Sequence, residues 1–122
     1  MKRSRTKAIV KALRKYRYNF DNEIMLQMGI AEALKENRIK FEREVSLGDP
    51  GIIDFMVGTI GIEIKIKGSP SKVGRQVVNY LTSDKLTEII VVTTKAKAAS
   101  FLRVPELLGK RVTVVDLWDR NF

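Results

Sequence analysis

Asp54, Glu63 and Lys65 are the residues of this chain whose types and spacing most directly allow chemistry. They lie in Asp49-Pro50-Gly51-Ile52-Ile53-Asp54-Phe55-Met56-Val57-Gly58-Thr59-Ile60-Gly61-Ile62-Glu63-Ile64-Lys65. Two alternating apolar runs flank Gly58-Thr59, and a Gly-X pair there specifies a two-residue type II′ hairpin turn. The turn sets the register: Val57 faces Ile60, Met56 faces Gly61, Phe55 faces Ile62 and Asp54 faces Glu63. Opposed side chains share a sheet face, with Cβ atoms about 4.5–5.5 Å apart. Lys65 is two residues past Glu63 and shares that face. Opposed carboxylates destabilise a strand pair unless a cation intervenes. A divalent metal is the simplest such cation, and Mg²⁺ is commonly held by one or two carboxylates with waters and phosphate oxygens. The competing reading is a charge network on a solvated face. Ile60, Ile62, Ile64 and Ile66 argue against it, since they put a core under the second strand and turn the charged face toward whatever covers the sheet.

The elements that position these residues follow from local pattern. Residues 1–5 are expected to be disordered, and 6–18 fit a basic amphipathic helix with Ile9, Leu13 and Tyr16 on one stripe. Residues 21–36 predict a stronger helix, with Asp21 or Asn22 as N-cap and Glu23 in the first turn. Its apolar stripe is Leu26, Ile30, Ala33 and Leu34, with Glu23 and Gln27 on the edge. Glu32 and Glu36 fall on the opposite side and are expected in solvent, whereas Glu23 looks toward the sheet. Phe41 to Leu47 alternates as a strand, with Phe41, Arg43, Val45 and Leu47 on one side. Gly48-Asp49-Pro50-Gly51 is a turn into the hairpin. Ser69-Pro70 starts a helix whose inward stripe is Val73, Gln76, Val77, Tyr80 and Leu81. Glu88 to Thr94 contains a run apolar on both faces, as suits a central parallel strand. A short helix over 96–104 and a last strand from Val112 to Leu117 complete the order α-β-β-β-α-β, then α-β. The class is a mixed α/β sandwich with helices on both sheet faces.

Composition narrows the function. The 122 residues suit one compact domain. With no Cys and no His, disulfides, thiolate nucleophiles, Cys/His zinc sites and imidazole acid–base chemistry are excluded. A metal site must therefore use oxygen ligands, which favours Mg²⁺, Mn²⁺ or Ca²⁺. No apolar run is long enough to span a membrane, and no apolar signal segment opens the chain. The expectation is a cytoplasmic protein of prokaryotic or viral origin with no membrane partner. The net charge is +9 and unevenly spread. Residues 1–20 carry Lys2, Arg3, Arg5, Lys7, Lys11, Arg14, Lys15 and Arg17 and no acid, leaving 15 basic against 14 acidic residues in 21–122. The division is thus a basic arm, 1–20, and a nearly neutral domain, 21–122. Such arms find nucleic acid through phosphate contacts and counterion release; the alternatives are a solubilising tail, or docking of the Ile9–Leu13–Tyr16 stripe on the body or on a second subunit.

Asp54 followed across a tight hairpin by Glu63-Ile64-Lys65 resembles the PD-(D/E)XK nuclease superfamily. Gly68-Ser69-Pro70, Arg75-Gln76 and Tyr80 extend the resemblance, which covers roughly residues 21–94 and is nearest to VRR-Nuc type nucleases and archaeal Holliday-junction resolvases. The resemblance implies a restriction-endonuclease-like sheet and a Mg²⁺- or Mn²⁺-dependent endonuclease acting on DNA. It implies that Glu23, Asp54, Glu63 and the carbonyl of Ile64 hold the metal. It gives Lys65 the role of orienting or deprotonating the attacking water, or of stabilising charge on the phosphorane. Without that role Lys65 simply pairs with Glu63 or Asp54. Glu23 is otherwise an acid stabilising a helix N-terminus. Gln76 counts among the catalytic residues, its amide partnered by a carboxylate or by the Lys65 ammonium, or else it is a satisfied core amide. Tyr80 reads as core. Lys67, Lys72 and Arg75 grip phosphates or are solvated surface charges.

Three functions compete. The leading one is a metal-dependent DNA endonuclease, possible in structure-selective form. The second is a Holliday-junction resolvase, which requires a homodimer presenting two sites. The third is an inactive DNA-binding module of the same fold, for which an opposed pair of acids near DNA phosphates has no use. A metal-independent RNA-splicing endonuclease is expected to use His, which the chain lacks.

Overall fold

A computed structural model of the chain describes residues 2–19, 21–66, 69–94 and 104–117. The element order is α1 (Lys2–Arg14), α2 (Glu23–Glu36), β1 (Glu42–Ser46), β2 (Ile52–Val57), β3 (Ile60–Lys65), α3 (Pro70–Leu81), β4 (Glu88–Thr93), β5 (Glu106–Leu107) and β6 (Lys110–Asp116). The strands form one open mixed sheet in the order β1-β2-β3-β4-β6-β5. β1, β2 and β3 pair antiparallel, whereas β3, β4 and β6 run parallel. This is the mixed α/β class expected from the sequence. The short helix expected over 96–104 falls almost wholly outside the described residues. Among the described residues no helix is long and apolar enough to cross a membrane.

Local chemistry accounts for the main boundaries. Asn22 caps α2, its side chain accepting from the Met25 N–H at 2.8 Å. Ser69 caps α3 by accepting from the Lys72 N–H, and Pro70 occupies the first helical position, where its missing N–H costs no helical bond. Gly58 has φ of +58 while Thr59 stays outside the left-handed region, the sign pattern of a type II′ turn. β5 was not anticipated. It joins β6 through Leu108-Gly109, both at positive φ, and Leu is a poor residue for that conformation.

Two apolar layers sandwich the sheet. One joins Ile60, Ile62, Ile64 and Ile66 to Leu26, Ile30 and Leu34 of α2 and to Ile9 and Leu13 of α1. The other joins Gly61's side of the sheet to Val73, Val77, Tyr80 and Leu81 of α3. The helix of the basic segment begins at Lys2, so over 2–5 the expected disorder gives way to helix. The Ile9–Leu13 stripe is fully buried on the body, and Thr6 donates a 2.7 Å buried hydrogen bond to Glu88. Of the alternatives for this segment, docking of the stripe on the body is the one observed.

The β1–β2 ribbon breaks alternation at one place. Phe41, Arg43 and Phe55 lie on the α1/α2 layer, whereas Val45, Leu47 and Ile53 lie on the α3 layer. Residues two apart should share a face, so the strands turn over between them. The pairing skips Glu44 and Asp54 together, and Glu44 has φ of +51. This corrects the single-sided alternation expected for Phe41 to Leu47.

Candidate active site

The inferred hairpin register is observed at Val57–Ile60, Met56–Gly61 and Phe55–Ile62. Regular pairing then stops one residue before Asp54 meets Glu63. Two carboxylates replace it. Asp54 Oδ2 accepts the Ile64 N–H at 2.8 Å, and Glu63 Oε1 accepts the Asp54 N–H at 3.2 Å. Each acid therefore satisfies a backbone donor of the other strand, which fixes both carboxylates where the strands part. The place is the carboxyl end of β3, beside parallel β4, where ligands of open α/β sheets commonly bind.

Both helical layers reach this point. From α3, the Tyr80 hydroxyl lies 3.2 Å from Glu63 Oε2 and 3.0 Å from the Ile52 carbonyl oxygen, and receives a hydrogen bond from Gln76 Nε2 at 2.9 Å. One hydroxyl proton serves one acceptor at a time. An ionised Glu63 takes it; a protonated Glu63 leaves it to Ile52. From α2, Gln27 Nε2 donates to Asp54 Oδ1 at 3.3 Å, and Arg43 Nη2 donates to Gln27 Oε1 at 3.1 Å. Arg43 is steadied by the Phe55 ring, 5.3 Å below its guanidinium, and Phe55 by an edge contact with Phe41. Lys65 Nζ stands 3.6 Å from Glu63 Oε2, with 24% of its side chain exposed against 4% for Glu63.

Burial dominates the electrostatics. It raises the Glu63 carboxyl to about 8, reinforced by the Asp54 charge and opposed by Lys65, the Asp54 N–H and the Tyr80 hydroxyl. Burial also raises Asp54, against the Ile64 N–H, Glu63, Lys65 and Arg43. Burial and the Glu63 charge raise Tyr80, so it remains a phenol. A cation between the acids would remove the strain that burial and mutual repulsion create.

The structure thus gathers Asp54, Glu63 and Lys65, and Ile64 contributes its N–H to the same cluster. Gln76 donates to the Tyr80 hydroxyl, which in turn meets Glu63, so among the described residues its amide is partnered by neither a carboxylate nor Lys65. Tyr80 is both core and site: its ring is buried and its hydroxyl holds Glu63. Glu23 is half-buried in the first turn of α2, and among the described residues no three acidic side chains gather closely enough to share an ion. The α2 residue that reaches the site is Gln27, one turn further on. The signal for it was the shared stripe edge of Glu23 and Gln27; Arg43 had no comparable signal. Glu32 and Glu36 are exposed, as helical phase requires.

The expected phosphate-gripping residues scatter. Lys72 and Arg75 are exposed on the outer side of α3, beside a groove of about 1060 Å³. Lys67 lies outside the described residues, as do the side chains of Lys2 and Arg3. Lys15 donates to Asn37 Oδ1 at 2.7 Å, and Lys7 and Lys11 line a small groove with Arg111. Arg5, Arg14 and Arg17 are exposed. No protein-family model matches this chain, and comparison with curated proteins and with solved structures gives no match.

Proposed function

We propose that this protein is a Mg²⁺- or Mn²⁺-dependent DNA endonuclease of the PD-(D/E)XK type, with a restriction-endonuclease-like fold. The observation that carries the reading is the replacement of strand pairing by the carboxylates of half-buried Asp54 and buried Glu63, with an ammonium 3.6 Å from the latter. The α-β-β-β-α-β order around that point supports it. Two carboxylates fit a hard divalent cation that keeps several waters and takes phosphate oxygens as further ligands. Asp54 and Glu63 would hold it. When bound, such an ion activates water and neutralises charge on a phosphoryl oxygen.

The chain's own groups do the rest. The Ile64 N–H and Gln27 orient Asp54, and the Asp54 N–H and Tyr80 orient Glu63. Gln76 fixes the Tyr80 hydroxyl. Lys65, more exposed than Glu63 by its position at the strand end, would offer a positive charge to the attacking water and to the phosphorane. Cleavage of linear, flapped, single-stranded and four-way-junction DNA with Mg²⁺ or Mn²⁺ tests the reading, alongside Asp54→Asn. Wild type should cut at least one substrate, and Asp54→Asn should lose cleavage and Mn²⁺ binding in calorimetry. Equal Mn²⁺ binding by both proteins would remove Asp54 from the site.

One observation favours the dimeric resolvase as second reading. Ile24, Met25 and Met28 are exposed together on the first two turns of α2, beside Gln27. An apolar face next to the site suits a second copy of the chain. Preferential cutting of four-way junctions by a sedimenting dimer would select it.

A further inference from the structure

A basic cleft of about 860 Å³ lies at the opposite end of the β2–β3 ribbon from the carboxylates. Arg5 of α1, Lys35 and Arg38 at the end of α2, and Lys40 before β1 line it, with Glu42 the acid on its wall. All four cations are exposed, and none stands within ion-pair distance of a described carboxylate. Four like charges held together repel, so an anion there would be bound at a gain.

Two backbone features build this cleft. Arg38 has φ of +57 and closes α2 in a complete Schellman arrangement: its N–H bonds to the Lys35 carbonyl, and the Ile39 N–H bonds to the Leu34 carbonyl, both at 3.0 Å. Glycine is the usual residue at that position. An arginine kept in the left-handed region points to use of its side chain. Gly58 supplies the second feature. A Cβ there would lie 2.8 Å from Arg5 Nη1, so the bare turn lets the Arg5 guanidinium rest across the hairpin tip.

The cleft and Asp54 share one flank. Gly58 is four residues from Asp54 along β2, about 13 Å. Gln27, which touches Asp54, is eight residues from Lys35 along α2, about 12 Å. Edge strand β1 runs between the two places and presents Arg43. At 3.4 Å per base pair, that span is about four base pairs of one duplex.

We propose that this cleft holds a phosphodiester backbone of the same nucleic acid whose scissile bond lies at Asp54 and Glu63, about four base pairs away. The proposal rests on the nuclease reading for its ligand. Its test uses binding rather than cleavage. In the Asp54→Asn background with chelator, affinity for a 20-base-pair duplex, a length of about two helical turns, is measured by fluorescence anisotropy from low to high salt. Lys35→Gln/Lys40→Gln should reduce the slope of log affinity against log salt by about 1.8, and Arg38→Gln alone by about 0.9. These side chains are exposed, and circular dichroism of each variant verifies the fold. Unchanged slopes in folded variants overturn the cleft, as does failure of the parent to bind duplex, or tighter binding of polyglutamate than of DNA. Wild-type cleavage is scored separately. Reduced slopes without cleavage of any DNA would sink the nuclease reading and leave the cleft as a nucleic-acid grip.

Discussion

The two ends of the β2–β3 ribbon are built on different rules. At the turn end, Val57–Ile60, Met56–Gly61 and Phe55–Ile62 pair in register, and the backbone satisfies itself. At the far end the ladder stops, and Asp54 and Glu63 accept backbone N–H groups in its place. The first end buries Val57, Ile60 and Ile62, and its one acidic neighbour, Glu88 of β4, accepts a hydrogen bond from Thr6 rather than replacing ladder pairing. The second buries Glu63 and half-buries Asp54, and desolvation pushes both carboxyls upward. A carboxylate is a poor substitute for a carbonyl if stability is the aim, because burying it costs several kcal/mol before any compensation. On the reading proposed above, that cost is offset by a cation bound at the second end.

The largest test of that difference is Lys65→Ala. Lys65 touches nothing at the turn end, so folding and melting should change little. Cleavage should fall about 10²–10⁴-fold, the usual contribution of a group that moves a proton or stabilises developing charge. Single-turnover rates at saturating Mn²⁺ measure it. Near-normal turnover would reduce Lys65 to a structural partner of Glu63.

Gly61→Ala sharpens the contrast from the packing side. Gly61 sits opposite Met56 in the regular part of the ribbon, but a Cβ on it would lie 2.5 Å from Ile53 Cδ1 and 2.6 Å from Leu86 Cδ2. Ile53 occupies this hole because the strand turns over at Asp54. Filling the hole should destabilise by about 1–3 kcal/mol, as overpacking does. It should also weaken Mn²⁺ binding where relief of the clash moves the Ile53 backbone, which is bonded to Asp54, rather than the side-chain tips. Denaturant unfolding and calorimetry report the two effects. Loss of stability with unchanged Mn²⁺ affinity would separate the turned strand from the site.

The regular end was legible in the sequence and the broken end only partly so. Gly58-Thr59 and period-two alternation determine a register, and the isoleucine series identifies its buried face. Ser69-Pro70 marks a helix start for an equally local reason. The overturning of β1 and β2 leaves no such mark, because Glu44 at positive φ is neither Gly nor Asn. Gln27, Arg43 and Tyr80 act through hydrogen bonds between elements far apart in sequence. The docking of α1 was open for a related reason: Ile9 and Leu13 reveal a stripe but not the surface it meets.

The smallest effect is also the most specific to the broken end. Below pH 4 a Glu carboxyl is protonated in folded and unfolded chains alike. Because the folded-state value for Glu63 is raised to about 8, the folded protein holds this proton longer than the unfolded one. The stability contributed by the protonated form is full below the unfolded value, and is lost as pH rises through the folded one. In chelator, melting temperature should therefore decline from pH 5 to pH 9, and Glu63→Gln should remove most of the decline. Tyr80→Phe refines the test. It deletes a hydroxyl that favours ionised Glu63 and leaves the Ile52 carbonyl without that donor, at a cost of about 1 kcal/mol. Losing a partner of the charged form raises the Glu63 value further, so the decline should move to higher pH. Profiles for wild type and Glu63→Gln that coincide would show that Glu63 is ionised throughout and that Lys65 already compensates its charge; a shift to lower pH would show that the Tyr80 hydroxyl favours the protonated form.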